Sequence, residues 1–521
     1  MAQVWRGIVR GIKMSAAFVL VAVVLSAMAV PMLAKNDGGG GKSETTVLYL
    51  SGTPREMGLQ YGAMAKDAIV SNVAQFWDWV SVNGLSQQAL IADALADEAY
   101  LTSEVIDELK GMSKTSGVSY NDLLTFNKYG NDDYEQKACT CFAAAGSGTT
   151  DGVPITSKNR DQNNMQVLML VEPDSGYKFI GMMSAGAVGI SQGINEMGLS
   201  IGHTWMPVPE YYDPGYAPFI VNQMVMEQCA DVNEAIALIG EVPKAEGATF
   251  ILSDASIAAF VETVPSVINT PDTLYQIITD GAYVHTNHYV MEPFHSWVLD
   301  GSFRYFWTPS VARYDRGLEL LAENPVLDVQ TVMSFTRDLE NFGNPNTNAV
   351  KDAHPEIPDD CWWDGWPGFS ISNARTVSAS VFRSDPTNVE ELSVMWMAIN
   401  GPVWAPYVAL HNAILNELDV ASVLLQDYVK GLAWSAASQL RSSGLYEWGD
   451  LVPVYEQWES EQLVDVIAIE DEARALISSG EMDAACLLLT VTDGGIAQAA
   501  VELMQSLLES PLSGELVAVP Q

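Results

Sequence analysis

The fold is decided by the run Cys139-Thr140-Cys141-Phe142-Ala143-Ala144, which is followed after Asp151-Gly152 by Lys158-Asn159-Arg160-Asp161. A thiol and a small hydroxyl residue open an apolar stretch, and an Asp-Gly pair between two such runs is typical of the turn of a β-hairpin. The return strand then brings a charged group beside the sulfur. This pattern predicts a cysteine nucleophile at the head of a strand.

The composition is that of a globular protein with an acidic surface. The 521 residues are 48% hydrophobic and 9% aromatic, which is ample material for a large core. Lys and Arg number 25 against 65 Asp and Glu, giving a net charge of −40. Such a surface repels nucleic acid and anionic lipid, so no nucleic-acid partner is expected. We favour a solubility adaptation over a cationic partner as its cause.

The N-terminus carries a basic segment followed by an apolar one. Arg6, Arg10 and Lys13 precede the apolar run 14–34, which ends among small residues. That order predicts a signal peptide over 1–34 and a flexible Gly-rich linker over 35–46. The run is also long enough for a single membrane anchor, which needs ~20 residues. We therefore expect a secreted, extracellular or periplasmic protein, membrane-tethered only if this segment stays uncleaved.

The five cysteines do not form a disulfide framework. Their odd number leaves at least one thiol unpaired. We expect Cys139 and Cys141 to project to opposite faces of their strand and not to bridge each other. Cys141 remains the alternative nucleophile, although it lies one residue before Phe142 whereas Cys139 lies three residues before it.

The apolar pattern changes from helical to strand-like at Cys139. Leu101, Leu109 and Met112 share one helix face, whereas short runs punctuated by turn residues follow Cys139. From about residue 405 the pattern is mostly helical again. The predicted organisation is a helical segment over 47–138, a core over 139–405 and a helical extension over 406–521.

Five short motifs occur in an order that carries a family resemblance. They are Leu50–Gly62, Glu108–Gly111, Cys139–Ala143 with Asp151-Gly152 and Asn159–Asp161, Asn195–Leu199, and Thr286–His288. Together they resemble the penicillin (isopenicillin N) acyltransferase-like branch of the N-terminal nucleophile (Ntn) hydrolases, which is related to the choloylglycine hydrolases. The resemblance implies an α+β fold, an αββα four-layer sandwich, here with a helical N-terminal segment and a helical C-terminal extension.

The resemblance also implies an activity. It is cleavage of a linear amide bond, or transfer of the acyl group, through a thioester on a cysteine freed by self-cleavage before Cys139. A cysteine at a chain terminus carries its own base, the free α-amino group. The pKa of that amine, ~7.7 to 8.0, is close to the thiol pKa of ~8.5, so the amine can take the thiol proton. Ala138 stands where the acyltransferase has glycine. No cofactor is expected.

Site residues follow from the resemblance by position. Cys139 is the implied nucleophile and its amine the general base; Asp161 is implied to orient that amine. Asn287 is implied to contact the oxyanion or the substrate amide. Lys158 stands where choloylglycine hydrolases place an arginine, and Arg160 is able to substitute for its charge.

A further active-site arginine is implied in the segment 310–316. Both Arg313 and Arg316 fit, and the choice between them stays open.

Each of these residues has a structural alternative. Asp161 is also suited to a turn, and Asn287 with His288 to a polar pair at a strand end. His285, His288 and His295 lack metal-ligand spacing, so no metal is expected. The tryptophan-rich run 361–368 fits an acyl pocket, core packing or a lid.

The partner expected is a small-molecule acyl amide, and the oligomeric state is open. Three other functions remain: a papain-like cysteine protease, whose local signature is absent, a secreted non-catalytic binding protein on the same fold, and a phospholipase B-like ester hydrolase.

Overall fold

The computed structural model describes residues 47–130, 138–162, 164–208, 215–266, 272–300, 306–342, 346–363, 368–425, 432–509 and residue 511. The predicted signal peptide and Gly-rich linker lie outside the described residues.

The strands of the described residues form two large sheets and one short pair. They are β1 Val47–Gly52, β2 Ala138–Gly146, β3 Gly152–Asp161, β4 Gln166–Pro173, β5 Phe179–Ser184, β6 Gln192–Asn195, β7 Ser200–Met206, β8 Gly247–Ser253, β9 Ala258–Thr263, β10 Thr273–Ile278, β11 Gly281–His285, β12 Phe306–Trp307, β13 Trp362–Trp363, β14 Thr376–Arg383, β15 Val394–Ile399 and β16 Val408–His411. The first sheet has the order β1-β4-β5-β6-β7-β8-β9-β10, and the second has the order β11-β2-β3-β14-β15-β16. Strands β1 and β4 are parallel.

Helices pack against both sheets. They are α1 Pro54–Met64, α2 Lys66–Val82, α3 Gln87–Asp97, α4 Ser103–Ser116, α5 Tyr120–Thr125, α6 Pro218–Gln228, α7 Val232–Glu241, α8 Phe294–Leu299, α9 Thr308–Glu323, α10 Val329–Thr336, α11 Thr347–Ala353, α12 Val389–Leu392, α13 Leu418–Leu424, α14 Ala433–Ser442, α15 Val452–Ser479 and α16 Met482–Glu509. Local signals set several ends, since Gly117 closes α4 at a φ of 83° and the Asp231 side chain caps α7.

Alternating side chains build the four layers. In β4, Val167 and Met169 pack with the helices α1, α2 and α6, whereas Leu168 and Leu170 join the core shared with the second sheet. On the far side of the second sheet, Phe142 packs against Phe335 of α10, with ring centroids 5.2 Å apart. The fold is the αββα sandwich expected from the sequence.

The hairpin predicted around Asp151-Gly152 is confirmed. Strands β2 and β3 pair antiparallel, with Cys139 opposite Arg160 and Cys141 opposite Lys158. Gly152 starts the return strand at a φ of 83°, a left-handed conformation that favours glycine.

Two motifs that carried the resemblance have structural roles. Helices α1 and α4 cross so closely that a Cβ added to Gly58 would lie 2.1 Å from the Glu108 carbonyl oxygen. The Asn195 side chain donates to the Cys229 carbonyl at 2.8 Å and accepts from the Leu199 amide at 3.0 Å, which fixes the turn between β6 and β7. These residues shape the scaffold and lie outside the candidate site.

Two strands lie in segments that were predicted to be helical. The segment 47–138 opens with β1, which completes the first sheet beside β4. Strand β16 lies beyond residue 405 and pairs with β15 in the second sheet. Both strands are short, and β1 also pairs with a distant segment, so local patterning gives little sign of them.

The C-terminal extension packs on the second sheet through buried ion pairs. Arg337, which follows α10, binds Glu459 of α15 with both terminal guanidinium nitrogens, at 2.7 and 2.5 Å. His411 Nδ1 lies 2.8 Å from Asp493 Oδ1 of α16. By length and composition α16 is apolar enough to cross a membrane, but 56% of its most apolar window is buried within the fold.

Candidate active site

The candidate nucleophile lies at the start of β2, between the two sheets. Cys139 is only 6% exposed. Its backbone N–H donates to Asn287 Oδ1 at 2.9 Å. The structure therefore holds the nitrogen of the expected cleavage bond, Ala138–Cys139, in a fixed direction.

Lys158 reaches the sulfur from the neighbouring strand. Its Nζ lies 3.1 Å from Cys139 Sγ and also donates to the His203 carbonyl of β7. The side chain is 1% exposed. Gly202 leaves room for it, because a Cβ there would lie 2.8 Å from Lys158 Cδ.

Arg313 of α9 holds the backbone around Cys139. Its Nη1 donates to the Cys139 carbonyl and to Thr140 Oγ1, the latter at 2.9 Å, and its Nη2 donates to Asn287 Oδ1 at 2.8 Å. Burial lowers the pKa of the guanidinium, while the charges of Asp161 and Cys139 act in the opposite direction. The Asn287 oxygen thus accepts from both Cys139 and Arg313.

Asp161 lies at the end of β3, opposite Ala138. Its Oδ1 accepts from Thr376 Oγ1 at 2.6 Å and its Oδ2 from Asn373 Nδ2 at 2.7 Å. Burial raises the pKa of this carboxyl, and Arg313 opposes the shift. In the continuous chain the one hydrogen on the Cys139 nitrogen goes to Asn287, so an Asp161 contact requires the additional hydrogens of a freed amine.

The other two arginines point elsewhere. Arg316 pairs with Asp338 at 2.8 Å and with Glu319 at 3.0 Å. Arg160 donates to Gln162 Oε1 at 2.8 Å and to Ser184 Oγ at 2.9 Å, on the side of the first sheet. Of the two candidates in segment 310–316, the structure places Arg313 beside the backbone of Cys139.

The expectation that Cys139 and Cys141 point to opposite faces is wrong. Residues two apart in a strand share a face, because strand side chains alternate. Cys141 packs with Ile251 and Phe260 of the first sheet, the side from which Lys158 reaches Cys139. Burial raises the pKa of the Cys141 thiol, which keeps it protonated. Both cysteines, like the other three, are free.

The remaining candidate residues have structural partners. His285 Nε2 lies 2.9 Å from Glu262 Oε1, His288 Nδ1 lies 2.8 Å from Ser310 Oγ, and His295 Nδ1 lies 2.9 Å from the Tyr289 carbonyl. In the part of the chain that the structure describes, no group of His, Cys, Asp or Glu is arranged to hold a metal ion.

Two tryptophans form a wall beside Arg313. Trp307 stacks on Trp363 with ring centroids 5.7 Å apart, and the Arg313 guanidinium lies 5.6 Å from the Trp307 ring. Residues 364–367 of the tryptophan-rich run lie outside the described residues. Trp307 is fully buried, so this pair packs within the protein beside Arg313.

Several supporting residues were missed from the sequence. Gly202 and His203 position Lys158, and Ser310 Oγ accepts from the Asn287 backbone N–H at 2.7 Å. Asn373 and Thr376 hold Asp161. Their only sequence signal is proximity to a recognised motif, as with Ser310, three residues before Arg313.

One family model matches part of the chain. Residues 149–353 match the family model described as acyl-coenzyme A:6-aminopenicillanic acid acyl-transferase. The matched span includes Lys158, Asp161, Asn287 and Arg313 and begins after Cys139. The resemblance to the penicillin acyltransferase-like branch of the Ntn hydrolases is thus confirmed over these residues.

Individual relatives are distant. An uncharacterised protein of Archaeoglobus fulgidus is 24% identical over 240 residues, which cover 39% of this chain and 40% of that protein. The chain therefore spans well under half the length of this relative.

Three solved structures are similar over about half of the chain. The penicillin V acylase of Agrobacterium tumefaciens is 16% identical with a TM-score of 0.31, covering 52% of this chain and 86% of its own. A conjugated bile acid hydrolase mutant of Clostridium perfringens is 14% identical at 0.30, covering 52% and 92%. A Caenorhabditis elegans orthologue of N-acylethanolamine-hydrolyzing acid amidase is 14% identical at 0.31, covering 50% and 99%.

Proposed function

We propose that this protein cleaves a linear amide bond, or transfers its acyl group to an amine, through a thioester on Cys139. The observation that carries the proposal is the convergence on Cys139 of Lys158 at the sulfur and of Asn287 and Arg313 at the backbone. A nucleophilic thiol needs a fixed position and polar groups at its reacting atoms, and these side chains come from three separate parts of the chain.

The proposed nucleophile matures by self-cleavage of the Ala138–Cys139 bond. The free amine of Cys139 then takes the thiol proton, with Asp161 directing it, and the thiolate attacks the substrate carbonyl carbon. The amide C–N bond breaks, the leaving amine takes the proton, and water or an acceptor amine releases the acyl group. Asn287 contacts the oxyanion or the substrate amide.

The activity is tested with a panel of N-acyl amines and N-acyl amino acids, measuring the amine released by purified protein. Cys139→Ala is the matched control, and the corresponding acyl esters distinguish an amidase from an ester hydrolase. Amine release that survives Cys139→Ala would assign the reaction to another group. No turnover of any substrate would support a binding protein on this fold.

The compartment and the processing are tested on the protein recovered from its source. We propose secretion with removal of residues 1–34, so the mature protein is expected outside the cytoplasm as two chains. One chain should end at Ala138 and the other should begin at Cys139. Intact mass and N-terminal sequencing of a single, active, uncut chain would contradict the processing.

A further inference from the structure

Self-cleavage of the precursor lacks the base that is available to the mature nucleophile. Before cleavage the Cys139 nitrogen belongs to a peptide bond, and its N–H donates to Asn287. An amide nitrogen is not a base, so the group that serves the mature nucleophile does not yet exist. The precursor needs another acceptor for the thiol proton.

Lys158 is the side chain placed to accept it. Its Nζ lies 3.1 Å from Cys139 Sγ, within reach of a proton transfer. The His203 carbonyl fixes the direction of this nitrogen, and Gly202 leaves the space that its stem occupies. The Lys158 amine is therefore held against the Cys139 sulfur.

The neighbouring polar groups are less suited to the task. Arg313 has no lone pair to accept a proton, because a guanidinium stays charged at any working pH. The two Asp161 oxygens accept from Asn373 and Thr376 at 2.7 and 2.6 Å. Lysine, unlike arginine, can move between ammonium and amine and so can act as a base.

We propose that Lys158 is the proton acceptor for the precursor's own cleavage, a step that rests on the proposed function. Lys158 takes the proton of the Cys139 thiol, and the thiolate attacks the Ala138 carbonyl carbon. As the C–N bond breaks, the ammonium returns the proton to the Cys139 nitrogen. This leaves an Ala138 thioester on Sγ and a free amine.

Water then completes the reaction. It adds to the thioester carbon, the C–S bond breaks, and the products are the Ala138 carboxylate and the free Cys139 thiol with release of one proton. Asn287 and Arg313 keep the scissile nitrogen and the Cys139 carbonyl in place while the acyl group moves. From then on the freed amine replaces Lys158 as the base.

The test follows cleavage of the full chain made by cell-free synthesis, using a pulse of labelled amino acid and a chase read by gel and mass. Lys158→Arg keeps the positive charge but cannot accept a proton, so its cleavage should be slowed by about 100-fold or more. Lys158→Ala should be equally slow, and added propylamine should restore cleavage in proportion to its free-base concentration. Lys244→Arg, at another buried lysine, should cut at the wild-type rate.

The outcomes separate the two ideas. Wild type that stays uncut at Ala138–Cys139 defeats the proposed processing itself. Wild type that is cut, with Lys158→Arg cut within about threefold of its rate, overturns only the role of Lys158 and assigns it a charge effect. The role of Lys158 is also overturned if Lys158→Ala has a normal melting temperature but its cleavage is not restored by propylamine.

Discussion

Two thiols on one face of β2 meet different surroundings, and this difference predicts their reactivity. Cys139 faces Lys158, whereas Cys141 is enclosed by apolar side chains and its pKa is raised by burial. Cys139→Ala should abolish amine release. Cys141→Ala should retain most of it and destabilise the fold by about 1 kcal/mol, since it removes one small buried group. Amine release and thermal melting measure both effects, and loss of turnover in Cys141→Ala alone would reverse the assignment.

Asp161 gives the second prediction at this scale. In Asp161→Asn the new amide can still accept from Asn373 and can donate to the Thr376 hydroxyl, which is able to rotate. The fold should therefore survive, with a melting temperature close to that of wild type. Turnover should fall by about 100-fold or more, because an uncharged side chain no longer directs the terminal amine. A variant with wild-type turnover would make Asp161 a structural residue only.

At the scale of elements, the close approach of β3 and β7 controls Lys158. Gly202→Ala would push a methyl group to within 2.8 Å of Lys158 Cδ and displace the amine from the sulfur. We expect self-cleavage to slow by about tenfold or more, which leaves less mature protein, with little change in melting temperature because the flexible lysine stem gives way. Gly240→Ala is the control, because a Cβ there meets nothing within 4 Å. Equal activity of the two variants would separate Gly202 from the function of Lys158.

Local signals predicted the elements that close on nearby residues. The β2–β3 hairpin depends on a few consecutive residues around Asp151-Gly152. Strand β1 was not predicted from the sequence because its partner β4 lies more than a hundred residues away. The contact of Lys158 with His203 was missed for the same reason, because a contact between two sheets does not change the hydrophobic pattern of either strand.

The packing of α4 on α6 predicts a pH-dependent stability. Burial, with Glu227 close by, raises the pKa of Glu108 to about 8. A carboxyl whose pKa is raised on folding favours the folded state most below its unfolded pKa, and this contribution is lost as pH rises from about 4.5 to 8. Glu108→Gln should therefore be more stable than wild type at pH 8, by at least about 1 kcal/mol, since one pKa unit is about 1.4 kcal/mol. Urea unfolding at pH 5 and pH 8 checks this, with the exposed neighbour Asp107→Asn as control; equal pH slopes in wild type and Glu108→Gln would contradict it.

At the scale of the whole molecule, the C-terminal extension acts as part of the core. Glu459 binds both terminal guanidinium nitrogens of Arg337 and accepts from the Tyr407 backbone N–H. The Tyr407 hydroxyl lies 2.7 Å from Thr336 Oγ1, and the Thr336 carbonyl accepts from Asn159 of β3 at 2.8 Å. Helix α15 is thus joined through buried hydrogen bonds to the strand that carries Lys158 and Asp161.

This connection predicts that the extension and the sandwich unfold together. Glu459→Ala leaves the buried Arg337 charge without its carboxylate, which should cost about 3–5 kcal/mol of unfolding free energy. The variant should melt in one transition at lower temperature, followed by circular dichroism and by tryptophan fluorescence. The control is Asp471→Asn on the same helix, whose side chain is 73% exposed in its ion pair with Arg474 and should matter by less than about 1 kcal/mol. Two separate transitions in Glu459→Ala, with the Cys139 thiol still protected in the first, would show instead that the extension is an independent domain that packs on a sandwich able to fold alone.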